Sequence, residues 1–133
     1  MKVGILGCGA MAETFADTLR QMEETECYAA ASRTLKRAEE FAREYGFEKA
    51  YGSYEKLCED PEVELIYIAT PHSCHFDNIE LCIRHKKPVL CEKAFTLNAE
   101  EAEQIKELAK QEQVFDAEAI WTRYMPSRNM IQE

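Results

Sequence analysis

The first dozen residues constrain the fold of this chain more than any other stretch. Residues 3–6 form a short, mostly apolar run of the kind found in a parallel strand that is covered on both faces. Gly7 permits a tight turn, Gly9 leaves no side chain between the backbone and a ligand, and Ala12 is small enough for a following helix to pack close to the strand. The stretch therefore predicts a strand, a glycine turn and a helix.

This context favours a dinucleotide-binding loop over a plain β-turn, although a G-x-G-x-x-A pattern by itself is weak. Free N–H groups at the start of the helix, aided by the helix dipole, are expected to face a pyrophosphate. The residues predicted to form the cofactor-binding loop are Gly7, Cys8, Gly9, Ala10, Met11 and Ala12.

Segments with strand and helix periodicity alternate along the rest of the chain, with short connections between them. Helices are predicted at 10–22, 35–45, 53–58 and 78–85 and after the capping residue Asn98. Strands are predicted at 27–31, 47–52, 65–69, 89–91 and 114–119. This alternation predicts an α/β protein with a doubly wound parallel sheet of the Rossmann type.

Length and composition limit the organisation of the chain. Its 133 residues suffice for one dinucleotide-binding domain, predicted at 1–119, with residues 120–133 starting a connection to a second domain that this chain lacks. A net charge of −9 with no basic stripe argues against a nucleic-acid partner. No apolar run approaches the roughly 20 residues of a membrane span. The start resembles no secretory leader, which predicts a cytoplasmic protein, and the six cysteines are expected to be buried free thiols.

The end of the second predicted strand determines which dinucleotide is expected. A carboxylate at this point usually bonds the adenosine ribose 2′-hydroxyl. This chain instead has Ser32, Arg33 and Thr34, with Arg37 one helical turn further on. Guanidinium groups pair well with a 2′-phosphate, and hydroxyl groups donate to phosphate oxygens. The expected cofactor is therefore NADP rather than NAD, with a solvated loop as the alternative interpretation of Arg33.

The residues that follow the later strands are candidates for chemistry, because ligands bind beyond the carboxyl ends of parallel strands. Hydride transfer between a nicotinamide and an alcohol or carbonyl needs a group that exchanges the hydroxyl proton. Lys93 is the candidate for this role, and Glu92 either orients it or bonds the nicotinamide ribose. Alternatively, both are surface charges at the end of a strand. The predicted cofactor contacts at this end are Thr70, Pro71, His72, His75, Glu92 and Lys93.

His72, Cys74 and His75 also invite a zinc interpretation, since all three are competent ligands. Their spacing is too cramped for the usual ligand pairs, and the sequence offers no evident fourth ligand. Histidines in such a loop more often bond backbone or substrate, so no metal site is predicted.

Three motifs, at residues 7–12, 69–75 and 89–93, occur in the order and spacing of a known family. In them the chain resembles the glucose-fructose oxidoreductase, inositol dehydrogenase and rhizopine-catabolism (Gfo/Idh/MocA) oxidoreductases. Residues 118–126 further resemble the branch of dimeric dihydrodiol dehydrogenases and NADP-dependent xylose dehydrogenases. The resemblance covers essentially the whole chain.

The resemblance implies an enzyme that transfers hydride between a nicotinamide cofactor and a sugar, cyclitol or diol. Lys93 matches the lysine of the family's Glu-Lys-Pro motif, Glu92 matches its glutamate, and Ala94 replaces the proline. The family also carries a second domain with most of the substrate pocket and commonly the dimer interface, which implies a homo-oligomeric full-length enzyme. The substrate contacts that the resemblance suggests here are Trp121, Arg123 and Tyr124.

A second class of function stays open at the level of sequence. The domain is alternatively a dinucleotide-sensing or regulatory module that binds the cofactor without turning it over. Ala94 in place of proline is the feature that favours this alternative.

Overall fold

Six parallel strands form one sheet in the computed structural model, which describes residues 1–120. They are β1 (Lys2–Leu6), β2 (Glu26–Ala31), β3 (Lys49–Tyr51), β4 (Leu65–Ile68), β5 (Val89–Glu92) and β6 (Asp116–Ala119). Their order across the sheet is β3-β2-β1-β4-β5-β6. The chain builds outward from β1 in one direction and then returns beside β1 to build in the other, so the predicted doubly wound sheet is confirmed.

Five helices cover the two faces of the sheet within the described part of the chain. They are α1 (Ala10–Arg20), α2 (Leu35–Tyr45), α3 (Tyr54–Glu59), α4 (His75–Arg84) and α5 (Ala99–Glu112). Because side chains alternate along a strand, neighbouring residues join different cores. Ala30 and Tyr67 pack on the side of α1 and α2, whereas Ala29 and Ile68 pack on the side of α3, α4 and α5.

Side-chain caps fix where three of the helices begin. The side chains of Thr34, Ser53 and Asn98 each accept a hydrogen bond from the backbone N–H three residues further on, at 3.4, 3.2 and 2.9 Å. Such bonds satisfy N–H groups that have no partner inside the helix. Gly46 ends α2 with a left-handed φ of 78°, a conformation that glycine adopts at little cost.

Helix α4 begins three residues earlier than the sequence pattern predicts. A 3₁₀ turn at His72–Cys74 leads directly into His75, whereas the predicted helix starts at Asn78. His75 and Asn78 are only 1% and 7% exposed, so they occupy core positions of the helix that apolar residues usually fill. Apolar spacing in the sequence does not indicate the first turn of α4, because the residues buried in that turn are polar.

Several other boundaries also differ from the prediction, and hydrogen bonds explain the differences at α1 and β6. Helix α1 ends at Arg20 rather than at residue 22, because the Thr25 hydroxyl donates to the Leu19 carbonyl at 2.9 Å and closes the end of the helix. Strand β6 begins at Asp116 rather than residue 114, because the N–H of Val114 donates to the Ala109 carbonyl at 3.0 Å and closes the end of α5. In both places a hydrogen bond at the end of a helix decides the boundary.

The six cysteines are all free thiols, as predicted, but they are not all buried. Cys8, Cys58, Cys82 and Cys91 are buried and Cys27 is half-buried. Cys74 is exposed in the 3₁₀ turn before α4, so the prediction of burial is wrong for this residue. Across residues 1–120, the helices are too short or too polar to cross a membrane.

A buried carboxylate ties together the amino-terminal edge of the sheet. Asp60 is 5% exposed and accepts hydrogen bonds from the hydroxyls of Tyr28 and Tyr51 and from the ammonium group of Lys49. The backbone N–H of Glu62 donates to the same carboxylate at 2.9 Å. This network links β2, β3 and the segment before β4. It lies toward the amino ends of the strands, whereas the predicted site lies at their carboxyl ends.

Candidate cofactor site

A cleft of about 450 Å³ opens at the carboxyl ends of β1, β2 and β4. This is the place where the order of the sheet reverses, and ligands of doubly wound sheets bind at such a point. Most residues that the sequence predicts for the adenosine and pyrophosphate end meet here. The lining residues are Gly7, Cys8, Gly9, Ala10, Met11, Ser32, Arg33, Arg37, Tyr54, Ala69, Thr70 and Pro71.

The two glycines of the loop, Gly7 and Gly9, are needed for different structural reasons. Gly7 has a φ of 95°, and a Cβ atom on it would lie 2.8 Å from the Ala69 carbonyl oxygen, so this position excludes a side chain. Gly9 caps α1 without any side-chain hydrogen bond, and no atom lies within 4 Å of where its Cβ would stand. The start of α1 thus offers N–H groups to open space, the arrangement that a pyrophosphate requires.

Two residues predicted for the adenosine and pyrophosphate end of the cofactor lie outside this cleft. Ala12 is fully buried against the sheet, so it permits close packing of α1 but does not reach a ligand. Thr34 is the capping residue of α2, and its side chain accepts from the backbone N–H of Arg37. Ala12 thus sets how closely α1 packs on the sheet, and Thr34 fixes where α2 begins.

Cationic and hydroxyl groups line the cleft at the end of β2. Ser32 and Arg33 lie at this end, and no carboxylate is among the described residues that line the cleft. Arg37 comes from the first turn of α2, and its guanidinium donates a hydrogen bond to the backbone carbonyl of Cys8. Arg37 therefore ties α2 to the glycine loop as well as adding positive charge to the cleft.

Cys8 lines the cleft but is poorly suited to act as a nucleophile. Its thiol donates to the Ala31 carbonyl at a sulfur–oxygen distance of 3.6 Å. Burial raises the pKa of the Cys8 thiol to about 11, although the charge of Arg37 opposes this change. The thiol is thus protonated at neutral pH, and nucleophilic chemistry needs the thiolate.

Tyr54 is a cleft residue that the sequence pattern does not indicate. It is the first residue of α3, and its half-buried side chain lies near Arg33. Burial raises the pKa of its hydroxyl, while the Arg33 charge partly offsets this effect. Its position directly after the Ser53 cap, at the carboxyl edge of β3, is the signal that points to it in retrospect.

A smaller cavity of about 160 Å³ continues the cleft toward β5 and shares Met11, Ala69 and Thr70 with it. Its other lining residues are His72, His75, Glu92 and Lys93. The structure thus brings the residues that follow β4 and β5 together with the glycine loop along one edge of the sheet.

His75 braces this cavity from behind. Its Nδ1 lies 2.8 Å from the Ala94 carbonyl oxygen and its Nε2 lies 3.0 Å from the Thr70 carbonyl oxygen. Both ring nitrogens thus lie within hydrogen-bond distance of a carbonyl oxygen, so His75 holds the ends of β4 and β5 together, and its contact with the cofactor stays a prediction. His72 is exposed, with its Nε2 2.9 Å from the Thr96 carbonyl oxygen.

Glu92 and Lys93 differ in their surroundings. Lys93 is exposed and makes no hydrogen bond or ion pair within residues 1–120, and the Lys93–Ala94 peptide bond is cis. Glu92 is half-buried and accepts a hydrogen bond from the hydroxyl of Tyr67. No ion pair joins the two residues within that same range, so Glu92 does not orient Lys93 by direct contact.

Residues 1–117 match the family model of the Gfo/Idh/MocA proteins, described as an oxidoreductase family with an NAD-binding Rossmann fold. The chain belongs to this family. It is therefore an NAD(P)-binding Rossmann domain, and the family named from its motifs is confirmed. The cleft described above lies at the place where this fold binds its dinucleotide.

Two relatives of this Gfo/Idh/MocA chain confirm the predicted branch. The trans-1,2-dihydrobenzene-1,2-diol dehydrogenase of Mus musculus is 42% identical over 135 residues, which cover 100% of this chain and 40% of that enzyme. The D-xylose 1-dehydrogenase (NADP(+)) of Hypocrea jecorina is 43% identical over 145 residues, which cover 100% of this chain and 37% of that enzyme. The chain thus spans about 40% of the length of these relatives.

Solved structures of the same architecture agree with this assignment. The 3-ketoreductase KijD10 from Actinomadura kijaniata, in complex with NADP and TDP-benzene, is 27% identical with a TM-score of 0.93 and is matched over 98% of this chain and 40% of that chain. An NAD binding oxidoreductase from Klebsiella pneumoniae is 29% identical with a TM-score of 0.85, over 90% of this chain and 34% of that chain. The predicted substrate contacts Trp121, Arg123 and Tyr124 lie outside the described residues.

Proposed function

We propose that this chain is the NADP-binding domain of an oxidoreductase that transfers hydride between the cofactor and a CH–OH group of a sugar, cyclitol or diol. The observation that carries the proposal is the end of β2, where Ser32 and Arg33 line the cleft and no carboxylate among the described residues does. A guanidinium cannot accept a hydrogen bond from a ribose 2′-hydroxyl, but it pairs with a 2′-phosphate. Both residues therefore favour NADP over NAD.

The remaining parts of the cleft suit the rest of the cofactor. The open space in front of Gly9 and the uncapped start of α1 suit the pyrophosphate. The shared residues Met11, Ala69 and Thr70 lead from there into the cavity that Lys93 lines, which suits the nicotinamide end. Relatives whose names include NADP(+), such as the xylose dehydrogenase of Hypocrea jecorina, support the choice of cofactor.

When bound, the nicotinamide supplies or accepts the hydride. Lys93 carries the proton role in this proposal, since an ammonium group at the cavity rim can donate a proton to, or take one from, the substrate oxygen. Glu92 has the role of accepting a hydrogen bond from a nicotinamide ribose hydroxyl, because it lines the same cavity and makes no ion pair with Lys93 within residues 1–120. The relatives that act on a diol and on xylose support the proposed substrate class.

The proposal extends to the whole protein. Residues 1–119 form the cofactor-binding domain and residues 120–133 begin the connection to a substrate domain, in keeping with the end of β6 at Ala119. The full-length enzyme is a homo-oligomer. The six free thiols of this chain suit the reducing cytoplasm, where thiols remain unpaired. Light scattering of the full-length protein tests the oligomer, and a monomer would contradict it.

The experiment for the activity is a screen of the full-length protein against sugars, cyclitols and diols, with NADP reduction followed by absorbance. Turnover of at least one class with NADP supports the proposal. Tight NADPH binding without turnover of any class contradicts it and favours a sensing module instead.

A further inference from the structure

A buried tyrosine lies directly beneath the carboxylate proposed to hold the nicotinamide ribose. Tyr67 of β4 is paired in register with Leu90 of β5, and Glu92 follows two residues later. Side chains two residues apart on a strand lie on the same face of the sheet, so Tyr67 and Glu92 are diagonal neighbours. The Tyr67 hydroxyl donates a hydrogen bond to Oε1 of Glu92.

The ring of Tyr67 has little freedom to move. It is 2% exposed and stacks on Phe15 of α1, with ring centroids 3.7 Å apart and an angle of 17° between the planes. The packed ring therefore holds the hydroxyl in place near Glu92, at the carboxyl end of β5. Burial, and then the neighbouring Glu92 carboxylate, raise the pKa of Tyr67, so the hydroxyl keeps the proton that it donates.

The two oxygens of Glu92 have different surroundings. Tyr67 holds Oε1, while Oε2 has no hydrogen-bond partner within residues 1–120. Glu92 lines the cavity that it shares with Thr70 and Lys93, so the unpartnered oxygen belongs to a group at the rim of the cofactor cleft. A carboxylate that is fixed by one oxygen and open at the other is suited to accept a hydrogen bond from a ligand hydroxyl.

We propose that Tyr67 is a positioning residue, whose hydroxyl holds the Glu92 carboxylate so that its second oxygen accepts from a hydroxyl of the nicotinamide ribose. This inference rests on the proposed function, and specifically on the ribose role of Glu92. Because the bond is charge-assisted and lies in a half-buried position, its loss leaves the carboxylate free to turn away from the cleft.

The test compares two ligands that differ in the nicotinamide half. NADPH carries the nicotinamide ribose, whereas adenosine 2′,5′-bisphosphate carries only the adenosine end. Calorimetry of the Tyr67→Phe variant is expected to show NADPH binding weakened about fivefold, with adenosine 2′,5′-bisphosphate unchanged. Tyr28→Phe is the matched control, because Tyr28 is also a buried tyrosine that donates to carboxylates, but at the opposite edge of the sheet. It is expected to lower stability and leave the affinity for both ligands unchanged.

A double-mutant cycle separates positioning from a merely structural role. Glu92→Gln keeps one acceptor oxygen for the Tyr67 hydroxyl but replaces the other by an amide NH2, which cannot accept from a ribose hydroxyl, so it is expected to weaken NADPH binding. Adding Tyr67→Phe is then expected to weaken NADPH binding no further. Glu92→Asp gives a second variant that keeps the charge but shortens the reach to Tyr67, and it is expected to reproduce the selective loss. Thermal unfolding of each variant shows whether it is folded, and Glu92→Asp decides the question if Tyr67→Phe is not.

The outcomes distinguish this inference from the proposed function. If Glu92→Gln weakens NADPH but Tyr67→Phe and Glu92→Asp do not, Glu92 keeps its ribose role and the positioning role of Tyr67 is wrong. If Glu92→Gln leaves NADPH binding unchanged, the ribose role fails and the inference fails with it. If the unaltered protein binds neither ligand, the proposed function itself is wrong.

Discussion

The guanidinium of Arg37 donates a hydrogen bond to the backbone carbonyl of Cys8, so α2 holds the glycine loop in place. This contact explains how one arginine can serve two parts of a cofactor. Its charge lies in the part of the cleft that also holds Arg33, and its hydrogen bond fixes the loop that faces the pyrophosphate.

Replacing Arg37 is therefore expected to weaken NADH as well as NADPH through the loop, and the lost charge is expected to add to the loss for NADPH. Arg37→Met keeps the apolar stem but removes the hydrogen bond to Cys8, so the loop loses order and both cofactors bind at least about tenfold more weakly. Fluorescence titration measures both affinities. Arg43→Ala, an exposed arginine in the last turn of the same helix, is the control. A loss confined to NADPH would contradict the loop-holding role.

The two loop glycines are expected to fail in different ways. Gly7→Ala places a Cβ 2.8 Å from a backbone carbonyl at a φ of 95°, which is expected to lower the free energy of unfolding by about 3 kcal/mol. Gly9→Ala meets no atom within 4 Å, so it is expected to keep its stability and lose NADPH binding, because the new methyl group occupies the space in front of the helix start. Urea unfolding and titration check both. Tight NADPH binding by Gly9→Ala is the result that contradicts the pyrophosphate site.

Lys93→Ala separates binding from catalysis. Lys93 makes no hydrogen bond or ion pair within the described residues, so its removal is expected to leave NADPH affinity within about twofold and the fold intact. Turnover of the full-length enzyme is expected to fall by about a thousandfold, because the proton-transfer group is lost. Steady-state kinetics measure this, with the exposed Lys56→Ala as control. Retained turnover would place the proton role elsewhere.

The Asp60 network predicts a specific loss of stability in acid. Burial raises the pKa of Asp60, but hydrogen bonds from Tyr51, the Glu62 backbone, Lys49 and Tyr28 outweigh it and lower the pKa from 3.8 to about 2. A carboxyl whose pKa is lower in the folded state stabilises the fold above the unfolded value, and the effect disappears as pH falls through the folded value. The stabilisation is therefore present above about pH 4 and lost between about pH 4 and pH 2.

Asp60→Asn tests this prediction. The variant is expected to be less stable by about 2 kcal/mol at pH 7, since it loses charge-assisted hydrogen bonds, and the difference from the unaltered protein is expected to shrink toward pH 2. Urea unfolding between pH 7 and pH 2.5 measures the difference. A difference that stays constant over this range would show that Asp60 does not titrate in this way.

Sequence patterns are sufficient to predict the order of the strands and helices, because the buried face of each element produces a regular spacing of apolar residues nearby in the sequence. The apolar run that ends before Gly7 and the capping residues Ser53 and Asn98 all act over a few residues. Such short-range causes can be read directly from the sequence.

Contacts between residues that are far apart in the chain produce no such pattern in the sequence. The start of α4 is not visible in the apolar pattern, because the buried residue there is His75. Its burial depends on contacts between its ring nitrogens and the carbonyl oxygens of Thr70 and Ala94. The pairs Arg37 with Cys8 and Tyr67 with Glu92 lie 29 and 25 residues apart. Spacing alone cannot show that the folded chain brings them together, so the tertiary structure was needed to see how the site is held.

Selection of NADP by the end of β2 can be measured by titration of the protein with NADPH and with NADH. Nicotinamide fluorescence is expected to show NADPH bound at least about tenfold more tightly than NADH, with this preference lost in Arg33→Ala and kept in Arg43→Ala. Equal or tighter binding of NADH by the unaltered protein would contradict the account.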